Sequence, residues 1–198
     1  MYSQSINNLI AVLKKLPSVG ERTAERYVFH WLKSGKGEVA SLREALDTLL
    51  KNTKSCESCF DFTDRSPCHI CADKRRDQQL VCVVAEPQDI QTLEKTGAFT
   101  GRYHVLRGLL GGDADSEDLN NLKIKELLTR IKKEPIKEII LALNPDLSGE
   151  TTSLYLQQTI KKINPKILVT RLARGLPMGS DLQYADEITL SSAIKNRK

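Results

Sequence analysis

"LVCVVAE", residues 80–86, is six apolar residues closed by a carboxylate, and its reading decides the fold. Three valines in so short a run favour a strand buried on both faces over a stretch of helix. Outward from it, "PQDIQTLEKTG" (87–97) has proline in its first turn and glycine at its end, the asymmetry of a short helix. "RYHVL" (102–106) reads as a short strand, "LKIKELLTRIKK" (122–133) as a helix and "EIILAL" (138–143) as a strand. "GETTSLYLQQTIKKI" (149–163) then reads as a helix and "KILVTRL" (166–172) as a strand. Strands alternating with helices predict the α/β class, with a mainly parallel sheet flanked by helices on both faces.

Upstream of "KRRDQQ" (74–79) the pattern is different. Ile6, Leu9, Ile10, Leu13 and Leu16 keep a helical period that "LPSVG" (16–20) breaks, and Ala24, Tyr27, Val28 and Trp31 mark one face of a second helix. After a turn at "SGKGE" (34–38), Val39, Leu42, Leu46, Leu49 and Leu50 form the apolar stripe of a third. At 198 residues the chain can bury one α/β core plus a small appendage. The net charge of +5 permits a nucleic-acid partner without requiring one. No stretch reads as a signal peptide or a membrane span, so the expectation is a cytoplasmic protein with reduced thiols.

In that setting "CESCFDFTDRSPCHIC" (56–71) reads as a metal site. Each C-x-x-C places two thiolates on one tight turn. Cys56, Cys59, Cys68 and Cys71 complete a tetrahedral shell with no open position, which predicts one structural Zn²⁺ per chain. A redox pair is the competing reading. His69 lies inside the second knuckle and is expected in solvent, and Cys82 is expected as a small core residue.

In "LPSVGERTAER" (16–26) a bend opens a helix whose first N–H groups suit a phosphate. Arg22 and Arg26 fall within about 40° of each other around that helix, away from its apolar face. A solvated charged face, with Glu21 and Glu25 nearby, is the plainer alternative.

"LPSVGERTAERYVFHWL" (16–32) resembles the helix–hairpin–helix of the RecR recombination mediators. The four-cysteine finger, "VCVVAEPQDI" (81–90), "GRYHVLRGLL" (101–110), "NPDLSGETTSLYL" (144–156) and "VTRLARGLPMGSDLQYADEITL" (169–190) match that family in the same order. The resemblance implies a helix–hairpin–helix over 1–54, a zinc finger over 55–77, a Toprim domain over 78–170 and an oligomerisation arm over 171–198. It implies a non-catalytic mediator, DNA-binding as a ring-like homo-oligomer (a tetramer or dimer), in the bacterial cytoplasm at the nucleoid. RecO and RecF would be its partners in loading RecA on gapped or single-stranded DNA, and Arg22 and Arg26 would contact DNA. The cysteine finger would then hold the hairpin at a fixed angle, so that copies in a ring present their arginines together.

Catalytic Toprim sites resemble E…D-x-D-x-x-x-G-E and hold Mg²⁺ through those carboxylates. Here Glu86, Asp146 and Glu150 stand at matching positions, but Asn144 replaces the first aspartate and no nucleophile accompanies the loop. The expectation is a degraded site reused as a binding surface, and the family resemblance implies that its acidic residues engage RecO. Weak Mg²⁺ binding by Glu86, Asp146 and Glu150 is the alternative, and a Toprim-type metal-dependent nuclease or topoisomerase-like enzyme the rival function. Arg107 stands where the family usually has histidine. "GGDADSEDL" (111–119), with Asp113, Asp115 and Glu117, departs from the family and reads as a solvated acidic loop. The tail lacks the lysine and hydroxyl of a phosphate-binding loop, so nucleotide hydrolysis is not expected.

Overall fold

Two units, Met1–Thr53 and Lys54–Lys198, divide the chain in a computed structural model that describes residues 2–111 and 121–197. The acidic loop around Asp113, Asp115 and Glu117 therefore lies outside the described residues.

The first unit is three helices: α1 (Gln4–Leu13), α2 (Glu21–Ser34) and α3 (Lys36–Asn52). Ile10 and Leu13 of α1 meet Ala24 and Val28 of α2, with Ile6, Val19 and Trp31 packed alongside. The predicted five-residue turn is shorter than expected: only Gly35 separates α2 from α3, at φ +92°, where a side chain would be strained. The stripe of α3 has the expected period but a different fate. None of its residues is buried, and Leu50 is 80 % exposed.

The second unit opens with an antiparallel ribbon, β1 (Lys54–Ser55) and β2 (Phe62–Thr63), and a single-turn helix, α4 (His69–Ala72). A sheet of β3 (Asp77–Val84), β4 (Gly101–Val105), β5 (Glu138–Ala142) and β6 (Leu168–Arg171) follows, in the order β4-β3-β5-β6. Every pairing is parallel, so the connections are crossovers. They carry α5 (Pro87–Glu94), α6 (Ile124–Lys133) and α7 (Leu147–Ile163). A 3-10 turn (Leu182–Tyr184) and α8 (Glu187–Lys195) form the tail.

The two-residue period of the strands sorts the core into two layers. Val81, Val83, Ile139 and Leu141 face α6 and α7, meeting Leu127, Ile131, Leu156 and Ile160. Cys82, Val84, Tyr103 and Val105 face the other way, toward Ile90 of α5 and the four cysteines of the finger. The central strand is thus covered on both sides, as its unbroken apolar run implied. On the finger side, Glu94 ties α5 to β4: it accepts from the Tyr103 hydroxyl at 2.7 Å, and also from Arg76 Nη1 at 2.8 Å.

Candidate functional site

Each C-x-x-C turn is built by backbone bonds. Phe60 N donates to the Cys56 carbonyl at 2.9 Å, and Cys56 N to the Asp61 carbonyl at 2.8 Å. Cys68 caps α4, its sulfur accepting from Cys71 N at 3.4 Å. Cys68 N in turn donates to Cys56 Sγ at 3.4 Å. All four sulfurs are buried and lie within 4.8 Å of one another, with Cys59 and Cys68 Sγ 3.6 Å apart. A tetrahedron with metal–sulfur bonds of about 2.3 Å sets sulfurs roughly 3.8 Å apart, so the cluster is compatible with a structural metal ion. Crowding also favours a cation. The hydrogen bond shared with Cys68 pushes the Cys59 thiol up, while Cys68, accepting from Cys59 and Cys71, is pulled down. Four thiolates can coexist there only against a compensating charge. His69 is exposed and outside the set. Cys82 is buried in β3, its thiol pushed up to about 12 by burial.

The finger is seated on the sheet. Val105 N donates to the Cys59 carbonyl at 2.8 Å. Arg107 adds a clamp: Nε donates to the Phe60 carbonyl and Nη2 to Ser55 Oγ, both at 3.0 Å. Its guanidinium also lies 3.9 Å from the Phe62 ring centroid. Arg107 has φ +66°, a costly backbone state for arginine that these contacts hold in place. Nothing in the sequence signals this role, because the partners are more than forty positions away.

In the first unit, Leu16 to Gly20 form the hairpin bend and Gly20 is the N-cap of α2. Arg22 and Arg26 follow on successive turns, both exposed and neither ion-paired with a described residue. Glu21, the carboxylate that precedes Arg22, is taken by Lys14. The two arginines are therefore free to meet an anion.

Glu86 sits at the carboxyl end of β3 as the N-cap of α5, exposed, its N–H donating to Asp89 Oδ2 at 2.9 Å. Asp146 caps α7 and accepts from Gly149 N at 2.7 Å. This cap starts the helix at Leu147, two residues earlier than the sequence suggests. Gly149 is required there, because a Cβ would stand 1.9 Å from the Asn144 carbonyl oxygen. Glu150 is engaged from within: Arg174 and Arg171 both donate to it, and they hold its carboxyl below the usual range. Among the described residues the four cysteines are the one group of three or more potential ligands gathered this tightly. Glu86, Asp146 and Glu150 are not brought together in that way.

A helix–hairpin–helix, a four-cysteine cluster and a parallel sheet with acidic loops at its carboxyl edge define a protein of the Toprim-containing recombination class. Family models agree along the chain: "RecR, helix-hairpin-helix" over residues 6–50, "Toprim domain" over 79–173 and "RecR, C-terminal" over 175–198. The chain is 45 % identical to Recombination protein RecR of Anaeromyxobacter sp. (strain Fw109-5) over 193 residues, 98 % of this chain and 96 % of that one. It is 45 % identical to Recombination protein RecR of Moorella thermoacetica over 196 residues, 99 % and 97 % of the two chains. With the same protein of Rubrobacter xylanophilus the identity is 42 % over 197 residues, 100 % and 98 %. The chain belongs to the RecR family.

Proposed function

We propose that this chain is a non-catalytic mediator of recombinational DNA repair that binds DNA as a ring-like homo-oligomer. The observation that carries the reading is the pair Arg22 and Arg26, exposed on successive turns beside the hairpin bend and without ion-pair partners among the described residues. Two guanidiniums make a small footprint, and non-specific affinity grows with the number of phosphates contacted. Several copies around one opening multiply those contacts. The exposed stripe of α3 and the exposed Met178, Tyr184 and Ile188 of the tail offer apolar surface for such assembly.

Zn²⁺ is the ion best suited to the cysteine cluster. Four thiolates in a closed shell select a soft, redox-silent cation, and the site stabilises a segment with little core of its own. The acidic edge of Glu86, Asp146 and Glu150 would engage a basic partner, RecO, and with RecF the assembly would load RecA on gapped or single-stranded DNA. The working layout is hairpin over 1–54, finger over 55–77, Toprim domain over 78–170 and assembly arm over 171–198. The bacterial cytoplasm is the expected compartment, and no described helix is long and apolar enough to cross a membrane.

The test is DNA binding across a salt series, by fluorescence anisotropy, with Arg22→Ala/Arg26→Ala against wild type. Loss of two phosphate contacts flattens the slope of log K on log salt by about 2. An unchanged slope would refute the placement.

A further inference from the structure

The edge of the sheet opposite the acidic loops carries a second charged surface. Helices α6 and α7 pack against the same sheet face through Leu127, Ile131, Leu156 and Ile160. Each is followed directly by a strand of the parallel sheet, so both helices end at the amino ends of β5 and β6. Lys132 and Lys133 close α6, and Lys161 and Lys162 lie in the last turn of α7. The connecting loops add Lys137 and Lys166. Leu168 N donates to the Lys137 carbonyl at 2.9 Å, which makes the two loops neighbours. All six lysines are exposed, and none forms an ion pair with a described residue.

The carboxylates along this edge are engaged in other bonds. Glu134 is held by Arg130 at 2.9 Å. Glu138 accepts from Thr170 Oγ1 at 2.8 Å, and Asp77 accepts from Gln79 N at 2.8 Å. Favourable placement at helix carboxyl ends accounts for the four lysines on α6 and α7. It does not account for Lys137 and Lys166, which lie beyond the helix ends in the loops that lead into β5 and β6.

We propose that this lysine edge is a second track for the sugar–phosphate backbone of nucleic acid, in addition to the hairpin arginines. The proposal rests on the DNA-binding reading above. The charges are spread over two helix ends and two loops rather than converging on a pocket, which suits a row of phosphates better than a single carboxylate. No aromatic residue lies within 132–137 or 161–166, so the surface would follow the backbone without stacking on bases.

The experiment measures DNA affinity over a salt series for the full chain carrying Lys133→Gln, Lys137→Gln, Lys162→Gln and Lys166→Gln, on single-stranded and duplex oligonucleotides. Arg22→Ala/Arg26→Ala is measured in parallel. The expected result is a loss of roughly tenfold or more in affinity and a slope shallower by about 2 to 3, at unchanged oligomer mass and melting temperature. Unchanged affinity and slope in the lysine variant, with binding lost in the arginine variant, would overturn the second track and leave the hairpin reading standing. Loss of binding to poly-glutamate with DNA binding intact would also overturn it, by assigning the edge to acidic polypeptide. A wild-type chain that binds no DNA would sink both readings. Should the quadruple variant lose its fold, Lys137→Glu and Lys166→Glu, each alone, carry the same test.

Discussion

Arg171, on β6, donates to the Glu150 carboxylate in the first turn of α7 at 2.9 Å. With Arg174 on the same carboxylate, guanidinium groups occupy the acid that a catalytic Toprim site would offer to a divalent ion. Millimolar Mg²⁺ or Mn²⁺ should therefore leave the wild-type melting temperature unchanged. Arg171→Ala/Arg174→Ala should gain sensitivity to the ions while costing only about 1 kcal/mol, because these pairs are part-exposed. Metal-dependent stabilisation of the wild type, or metal-dependent nicking of plasmid DNA abolished by Glu86→Gln, would contradict this.

The cysteine cluster should hold one zinc per chain. Cys59→Ser should lose it and destabilise the protein by more than about 3 kcal/mol, since the finger lies against the sheet core through Val105 and Tyr103. Elemental analysis of purified protein together with urea unfolding checks both. A full complement of zinc in Cys59→Ser would exclude the four-thiolate shell.

Gly149→Ala should cost about 1–3 kcal/mol, because the added methyl meets the Asn144 carbonyl and the loop must shift. The same shift should loosen the Asp146 cap that accepts from Gly149 N. A lower urea midpoint at unchanged m-value is the expected signature. A wild-type midpoint would show that the loop yields freely.

His104 supplies a pH dependence. It is fully buried, its Nε2 donates to the Lys123 carbonyl at 2.8 Å, and Nδ1 has no partner among the described residues. Burial, reinforced by Arg130, lowers its pKa to about 4, even against the Lys123 carbonyl. The fold thus favours the neutral ring. Its contribution is complete above the unfolded value near 6.5 and is lost as pH falls toward 4, about 3 kcal/mol over that window. Urea midpoints at neutral pH and near pH 4.5 should fall further for wild type than for His104→Gln. Parallel losses in the two proteins would remove His104 as the cause.

The parts that were legible in the sequence are those governed by local period. Val81 to Val84 alternate between two layers, the cysteines pair by spacing, and Arg22 and Arg26 stand off the apolar face of α2. What was not legible depends on chain distance. Arg171 and Arg174 meet Glu150 across more than twenty positions, and Arg107 finds Ser55 and Phe60 across about fifty. Helical period also cannot say what covers a face: the stripe of α3 has the period of a packed helix, yet it is exposed in the single chain. The early start of α7 came from the Asp146 cap, inside a stretch that read as loop.

The proposed function makes self-association the condition for capturing DNA through the hairpin arginines, and that condition is tested most directly by mass in solution across a concentration series, with and without DNA. The prediction is a closed oligomer whose population tracks DNA affinity and which falls apart when residues 171–198 are removed. A chain that stays monomeric at every concentration and on DNA, yet binds DNA undiminished, would contradict it.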